Sequence, residues 1–490
     1  MKGKLIIFSI MVMVILFITL ASCSEKTESN SSDITVSETA PINETVSETE
    51  MLYPDLPEMN YDGYTFNVLH FEDNLGGKPQ FWVITADTEN GDAINDAVYK
   101  RNLAVEEKYN IKFNLITHGD YNTINSNVMK SVNSGENAYD IVYQRMYNVP
   151  SLISGGYLID LNTLPYVDFD MPWWDSNSTN NISIDKKVFL AATDINIMDK
   201  NATYVVLFSK KHAENYNLPD MYGIVDSGQW TMDKLLELSS NISIDLNGDD
   251  KMDKNDFFGI LGRHDAMASL FRGAGCLIAG KDNADLPVLS FESEYNYSVI
   301  DKILDVMYSE DFVNLHTRGI SEPEFSAMVA NDQGLFAFTM LAEVSVLRSS
   351  ELDFGILPIP KYSESNEKYH NLVSVHWTGL LSVPVTNPEL ERTGMILEAW
   401  AAESHYTLQP AFYDINLVGK ALRDVESERM LDLIFENRVY DTGDIFNFSD
   451  FSYQFLLFAA KNSRDVASFY ASFEEKVQVE IDKLIDVIAD

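Results

Sequence analysis

Strand and helix patterns alternate where the folded part of this chain begins, and this alternation constrains the fold more than any other feature. Alternating side chains predict strands at 64–70, 111–117 and 139–143. Helical spacing of apolar residues predicts helices at 93–108 and 121–132. A β-α-β-α-β order favours a mostly parallel sheet with helices on both faces. In such sheets, ligands bind beyond the carboxyl ends of the strands.

The pattern is looser after residue 155, but it still predicts further elements. Strands are expected at 187–193, 203–209, 334–340, 354–360 and 379–384. Helices are expected at 231–240, 292–308 and 324–331. From Pro388 to Asp490 almost the whole chain has helical spacing, including a long closing segment at 465–488. The sequence therefore predicts an α/β protein with a helical C-terminus.

The first 22 residues have the pattern of an export signal. Lys2 and Lys4 precede an apolar run from Leu5 to Leu20, and small residues then lead to Cys23. The alternative is a transmembrane helix, but the run is shorter than the roughly 20 residues that a bilayer span needs. A cysteine directly after the cleavage point is typical of bacterial lipoproteins. We therefore predict a signal peptide at 1–22, a lipid on Cys23 and an anchored position outside the cytoplasmic membrane.

The segment after this cysteine is rich in Ser, Thr, Glu and Asn and has few large apolar side chains. Such a segment cannot bury enough surface to offset the entropy cost of ordering it. Apolar patterning begins only near Met51 and Leu52. We predict a flexible tether at 23–55 that separates the folded body from the membrane.

Composition narrows the possible partners of the folded body. A body of about 435 residues is too long for one ordinary core and predicts two domains. The chain has 75 acidic and 35 basic residues, so we expect neither nucleic acid nor an anionic lipid surface to bind it. Beyond Cys23 the only cysteine is Cys276, so no disulfide forms within the chain. The apolar neighbours of Cys276 predict a buried hydrophobic residue rather than a reactive thiol.

An acidic loop at 245–256 places oxygen donors at alternate positions, as calcium-binding loops do. Two positions depart from the EF-hand pattern, because Asp250 stands where glycine is usual and Asp256 stands where glutamate is usual. A turn rich in Asn, Asp and Gly without metal is the alternative. We predict a structural Ca²⁺ site. Its candidate ligands are Asp245, Asn247, Asp249, Lys251 through its backbone carbonyl, Asp253 and Asp256.

Several motifs follow one another along the chain in an order typical of one known family. Besides the lipoprotein signal and the acidic loop, they are NDAVYKRN at 95–102, YDIVY at 139–143, GYLIDL at 156–161, the pair Trp173–Trp174 and VVLFS at 205–209. In this order they resemble the extracellular solute-binding proteins of carbohydrate-type ABC importers, over residues 60–490. The resemblance implies a two-lobed, periplasmic-binding-protein-like fold of type II. Each lobe is then a mostly parallel sheet flanked by helices.

The resemblance also implies how such a protein works. Two lobes joined by crossing segments close on a sugar or oligosaccharide, and the membrane permease of the importer recognises the closed form. Lobe one is expected at 56–193 plus 378–404, and lobe two at 194–377 plus 405–490. We expect the first crossing near 191–196, the second near 376–380 and the third near 404–413.

Sugar binding needs aromatic faces against C–H patches and planar polar groups for the hydroxyls. Asp194 is the leading candidate, because a carboxylate at a hinge can accept two sugar hydroxyls. Core packing is the alternative role for Phe338, and neutralising nearby acids is the alternative for Arg145. The full set expected at strand ends and crossings is Gln144, Arg145, Asp194, Asn196, Phe338, Thr339, His376, Trp377 and Tyr413.

The sequence contains no recognisable catalytic motif. It has no His-Glu-x-x-His, no Gly-x-Ser-x-Gly and no phosphate-binding glycine loop. We therefore predict a binding protein rather than an enzyme. Two other classes remain open. One is a lipid-anchored glycan hydrolase, since acidic pairs are uninformative in so acidic a chain. The other is a calcium-stabilised surface adhesin or sensor module.

Overall fold

The computed structural model describes residues 51–71, 84–118, 121–314, 319–347, 350, 352–413 and 425–489. The chain divides into two units, Met1–Leu52 and Tyr53–Asp490, and every element described below belongs to the second. The predicted signal peptide, Cys23 and nearly all of the predicted tether lie outside the described residues.

The opening strands and helices form in the predicted order. They are β1 Tyr64–Phe71, α1 Ala93–Tyr109, β2 Ile111–His118, α2 Tyr121–Ser134 and β3 Ile141–Arg145. β1 pairs in parallel with both β2 and β3. Asp92 caps α1, because its carboxylate accepts hydrogen bonds from the backbone N–H groups of Ile94 and Asn95. The first predicted parallel sheet is therefore present.

The remaining strands and helices of the described residues form a mixed α/β fold with the first ones. The strands are β4 Tyr204–Ser209, β5 Phe258–Gly262, β6 Ala279–Lys281, β7 Pro287–Leu289, β8 Phe312–Asn314, β9 Gly334–Met340, β10 Phe354–Leu357, β11 Asn371–Leu372, β12 Gly379–Ser382 and β13 Arg438–Val439. The helices are α3 Pro150–Ser154, α4 Ser176–Ile182, α5 Met198–Asn201, α6 Lys210–Asn215, α7 Met221–Asp226, α8 Met232–Ser239, α9 Ala266–Gly273, α10 Glu294–Met307, α11 Glu322–Ala330, α12 Ala342–Leu347, α13 Leu390–Pro410, α14 Val425–Glu436, α15 Thr442–Phe446, α16 Phe451–Leu456, α17 Val466–Ala471 and α18 Glu474–Ala489.

Two larger sheets organise these elements, with strand orders β12-β3-β1-β2 and β10-β4-β9-β5-β8. In the first sheet, only β12 runs antiparallel to its neighbour. In the second sheet, β5 is parallel to β8 and β9, whereas β4 is antiparallel to β9 and β10. Residues 146–203 and 358–378 connect the two sheets. The architecture confirms the predicted α/β class.

Several predicted boundaries differ from the structure. Residues 187–193 were expected as a strand, but Lys187, Ala191 and Thr193 make only isolated bridges, to Ile184, Leu381 and Trp174 respectively. β3 begins at Ile141 rather than at residue 139, because the buried carboxylate of Asp140 accepts a hydrogen bond from the backbone of Asn67 at that point. The closing helical segment is interrupted by a turn at residues 472–473, which separates α17 from α18.

Cys276 lies in the hydrophobic interior, as its apolar neighbours in the sequence predicted. Cys276 is buried, and burial raises the pKa of its thiol to about 12, so it is an unreactive core residue. Among the described residues, no helix combines the length and the apolar character that a membrane crossing requires.

Candidate functional site

A cavity of about 240 Å³ lies beyond the carboxyl ends of β3 in the first sheet and β5 in the second, and we call it the strand-end cavity. Tyr147 follows β3 at its edge, and Arg263 and His264 follow β5 directly. Residues 372–377, from the second connection between the sheets, form another wall, and residues from α15 and α16 close it. This is the place where parallel α/β sheets bind ligands.

Aromatic rings form much of the strand-end cavity. The rings of Tyr147 and His376 lie with their centroids 4.5 Å apart, and Trp377 beside them is half-buried. The backbone N–H of Tyr147 donates to the carbonyl of Val375 at 3.1 Å, which ties the end of β3 to the connection. Tyr453 also lines the cavity and is 40 % exposed. Flat, partly accessible rings of this kind suit the C–H faces of a sugar.

Polar groups complete the wall. The side-chain amide of Asn447 donates to the hydroxyl of Tyr147 at 3.2 Å, and its oxygen accepts from the backbone of Tyr453 at 3.1 Å. Asp444 pairs through Oδ1 with Arg272 at 2.6 Å. Its other oxygen, Oδ2, is buried and has no hydrogen-bond partner within the described residues. Because an unpaired buried acceptor is costly, this oxygen is well placed to accept a ligand hydroxyl.

Charges in the strand-end cavity are matched inside the protein. Arg263 lies 3.3 Å from Asp265 through Nε and Oδ2, and Asp265 also accepts from the hydroxyl of Tyr204 at 2.7 Å. Burial, reinforced by nearby Arg145, lowers the pKa of His376 to about 4, so this ring is neutral at physiological pH. Such a site favours a neutral, hydrogen-bonding ligand over an ion.

A second, larger opening of about 810 Å³ contains other predicted residues, and we call it the crossing groove. Asp194 lies in it and pairs with Lys200 at 2.9 Å and with Nδ1 of His405 at 2.6 Å. Burial would raise the pKa of Asp194, but Lys200 and His405 hold it below its usual value. Both carboxylate oxygens of Asp194 are therefore engaged within the protein. Tyr413 lines the same groove and donates its hydroxyl to Asp432 at 2.6 Å.

Five other predicted residues line neither opening, and one of them is Arg145. Gln144 is buried, and its amide nitrogen donates to Asn125 at 2.5 Å. The side chain of Asn196 accepts from the backbone of Met198 at 2.9 Å. Phe338 and Thr339 are buried on β9.

The structure therefore separates the predicted set. It brings His376 and Trp377 together in the strand-end cavity, with Arg145 acting on His376 through its charge. It places Asp194 and Tyr413 in the crossing groove. The ligand roles assigned to all nine residues from sequence stay predictions.

Sequence reasoning missed most of the strand-end cavity. Tyr147 follows a predicted strand, so its position at a strand end was a usable signal. Arg263 and His264 follow β5, a strand that the sequence pattern did not predict. Asn447 and Tyr453 lie in the helical C-terminal part, where no local pattern marks a ligand-facing residue.

The acidic loop at 245–256 is stabilised by its own side chains. The carboxylate of Asp245 accepts from the backbone N–H groups of Gly248 and Asp250, and that of Asp256 accepts from Leu246 and Asp253. The carboxylate and amide oxygens fit the chemistry of Ca²⁺. However, within the part of the chain that is described, no group of three or more His, Cys, Asp or Glu side chains is arranged to hold a metal ion. Calcium binding by this loop stays a prediction.

Comparison with known proteins connects this geometry to solved structures. No protein-family model matches the chain, and no curated protein matches its sequence. An ABC substrate-binding protein from Listeria monocytogenes in complex with cycloalternan is 12% identical, with a TM-score of 0.53 over 87% of this chain and 100% of that chain. A maltose/maltodextrin-binding domain from Bdellovibrio bacteriovorus bound to maltotriose is 13% identical, with a TM-score of 0.52 and coverage of 87% and 100%.

A third match gives the same result with a different ligand. An ABC transporter solute-binding protein from Agrobacterium radiobacter in complex with ribitol is 12% identical, with a TM-score of 0.53 over 86% of this chain and 100% of that chain. The chain therefore has the type II fold of the ABC sugar-binding proteins, as its motifs predicted.

Proposed function

We propose that this protein is the solute-binding subunit of an ABC importer and that it captures a neutral sugar in the strand-end cavity. The observation that carries the proposal is a strand-end cavity that combines Tyr147 and Trp377 with the unpaired buried oxygen of Asp444. The fold adds support, because proteins that share it have been solved with maltotriose and ribitol bound.

The size of the cavity favours a small sugar. Its volume of about 240 Å³ is below the ~300–1,000 Å³ of pockets that enclose drug-sized ligands. In this assignment, Trp377 and Tyr147 cover C–H faces, and Asp444 and Asn447 bind hydroxyls. Capture involves movement of the two sheets about the connections at 146–203 and 358–378, and the loaded form delivers the sugar to the membrane permease.

This role requires binding without chemistry. The two carboxylates in the cavity, Asp265 and Asp444, are each engaged by an arginine. We infer that the bound sugar leaves unchanged, so the protein is not an enzyme. Turnover of any bound glycan by the purified protein would instead identify a hydrolase.

A thermal-shift and calorimetry screen against neutral mono- and disaccharides tests the proposal. At least one sugar should raise the melting temperature by mass action. Trp377→Ala should weaken its binding about 30-fold, because the ring supplies roughly 2 kcal/mol of contact. Tyr166→Ala removes an exposed aromatic ring that does not line the cavity and should bind as the wild type does. Lack of stabilisation by every sugar, or unchanged binding by Trp377→Ala, would contradict the proposal.

We also propose that the protein is anchored by a lipid on Cys23 after removal of residues 1–22. The support is the sequence pattern at this site. Mass spectrometry of the N-terminal peptide should find an acylated cysteine, and Cys23→Ser should move the protein from the membrane fraction to the soluble fraction. A Cys23→Ser protein that stays with the membrane would contradict lipid anchoring.

A further inference from the structure

A third cavity, of about 380 Å³, is lined by more basic than acidic side chains, whereas the chain as a whole is acidic; we call it the cationic cavity. Of the described residues that line it, four are basic, namely Arg272, Lys281, Lys368 and Arg438, and one is acidic, Glu436. The whole chain has 75 acidic and 35 basic residues. The cavity shares no lining residue with the strand-end cavity.

The two arginines, Arg272 and Arg438, have N–H groups without a hydrogen-bond acceptor among the described residues. Arg272 is fully buried, and its Nη2 pairs with Asp441 at 2.9 Å and with Asp444 at 2.6 Å. Its Nε and Nη1 have no hydrogen-bond partner within the described residues. Arg438 is 6 % exposed and pairs with Asp175 at 3.1 Å and with Asp199, yet its Nε is also unpartnered there. A buried N–H without an acceptor costs free energy, so both guanidinium groups favour a further acceptor in the cavity.

The outer part of the cavity adds an uncompensated charge. Lys368 is exposed, and no carboxylate of the described residues lies within ion-pair distance of its ammonium group. Lys281, by contrast, is satisfied by Asp285 at 2.9 Å and by Ser183 at 2.6 Å. Among the described residues that line the cavity, Lys368 near the mouth is therefore the one cation without an acidic partner, and the unused guanidinium donors lie deeper inside.

We propose that the cationic cavity binds the oxyanion of a small organic acid, either a carboxylate or a phosphate monoester. The planar guanidinium fork of arginine matches such groups, and charge-assisted hydrogen bonds to them are strong. The volume of about 380 Å³ leaves room for an organic body attached to the anion. The lining of this site is separate from that of the sugar site proposed above, although Arg272 also pairs with Asp444 of the sugar site.

Thermal-shift titrations of the full chain test this proposal. Inorganic phosphate, glucuronate and glucose 6-phosphate are compared with sodium chloride at equal ionic strength, and glucose serves as the neutral control. A specific anion should raise the melting temperature by about 3 °C at 100 times its Kd. Phosphate alone acting as well as the organic acids would support the oxyanion chemistry with a free ion as occupant. Absence of any anion-specific shift would overturn the proposal, as would a shift that glucose reproduces.

Two variants locate the effect. Lys368→Gln removes the free cation at the rim and should weaken anion binding at least about tenfold. Lys476→Gln is the matched control, since Lys476 is an exposed lysine on α18 outside the cavity. Arg272→Lys keeps a positive charge beside Asp441 and Asp444 but removes the unpartnered Nε, so it should abolish the response. If Arg272→Lys does not fold, the comparison between Lys368→Gln and Lys476→Gln tests the proposal. Equal anion affinities of these two variants would overturn it.

Discussion

At the scale of single residues, one carboxylate explains the paired tryptophans of the sequence. The indole N–H groups of Trp173 and Trp174 donate to the two oxygens of Glu398 at 2.9 and 2.8 Å. Glu398 lies on α13 and is 1 % exposed. Burial raises the pKa of this carboxyl to about 7, although both indoles oppose the shift.

The titration of Glu398 predicts a pH-dependent stability. Its folded pKa of about 7 exceeds the unfolded value of about 4.3, so the folded state holds a proton that the unfolded state has lost. The free energy of unfolding therefore falls as pH rises through this window, by about 4 kcal/mol in total from this group. Glu398→Gln does not titrate. Urea denaturation at pH 5 and 7.5 gives the unfolding free energies of wild type and Glu398→Gln. Between pH 5 and pH 7.5, the wild type should lose stability relative to Glu398→Gln. Parallel pH profiles of the two proteins would contradict this.

Asp444 predicts a pH-dependent affinity for the sugar. Burial raises the pKa of its carboxyl to about 6, against the opposing charge of Arg272. Protonation below that pH replaces a charged acceptor by a weaker neutral group, so affinity should be about tenfold lower at pH 5 than at pH 7.5. His376, with its pKa of about 4, stays neutral through this range. Calorimetry should find affinity independent of pH in Asp444→Asn, and a pH-independent wild type would contradict the role of Asp444.

At the scale of secondary-structure elements, α1 is tied to distant parts of the chain by one buried arginine. Arg101 donates to the carbonyls of Ile195 and Ile84 and to the hydroxyl of Ser404. Its guanidinium carbon also lies 5.2 Å from the ring centroid of Trp400. Arg101 therefore links α1 to the first connection and to α13.

Replacing this arginine should destabilise the protein. Arg101→Met leaves the carbonyl of Ile195 without its donor, whereas the carbonyl of Ile84 keeps Asn102 as a donor. The loss should lower the free energy of unfolding by about 2 kcal/mol. Arg429→Gln is the control, because Arg429 is exposed and its ion pair with Asp226 should contribute less than about 1 kcal/mol. Urea denaturation measures both, and equal effects of the two substitutions would show that the buried contacts contribute little.

The acidic loop at 245–256 makes a separate prediction for calcium. If it binds the ion, millimolar Ca²⁺ should raise the melting temperature by about 1–3 °C relative to a chelator. Asp249→Asn should remove this shift, because Asp249 is an exposed oxygen donor of the loop. Glu475→Gln, which removes an exposed acid on α18, should keep it. An identical melting temperature with Ca²⁺ and with chelator would exclude the site.

At the scale of the whole molecule, the two sheets and their connections predict a change in shape on binding. The stabilising sugar should reduce the radius of gyration measured by solution scattering, since closure about the connections brings the sheets closer. Trp377→Ala at the same sugar concentration should show a smaller reduction, because less of it is loaded. Scattering curves that do not change with a tightly bound sugar would contradict the hinge.

Features that depend on neighbouring residues could be predicted from the sequence, whereas features that depend on contacts between distant segments could not. The opening strands and α1 were predictable because their patterning repeats over neighbouring residues and Asp92 caps the helix locally. The antiparallel pairing of β12 with β3 joins residues more than 200 positions apart, and no local pattern encodes it. Asp194 illustrates the same limit, because it lies in a turn and its partner His405 lies on α13, 211 positions further along the chain.

The sequence by itself determined the α/β class, the fold resemblance and the inert character of Cys276, since periodicity, motif order and apolar surroundings are local properties. Only the tertiary structure decided which polar side chains face a cavity and which are already paired. His376 reaches the strand-end cavity with Tyr147, Asn447 and Asp444, while Asp194 is engaged by Lys200 and His405. The physical reason is that the environment of a side chain depends on contacts made by distant segments, and these exist only after the sheets have assembled.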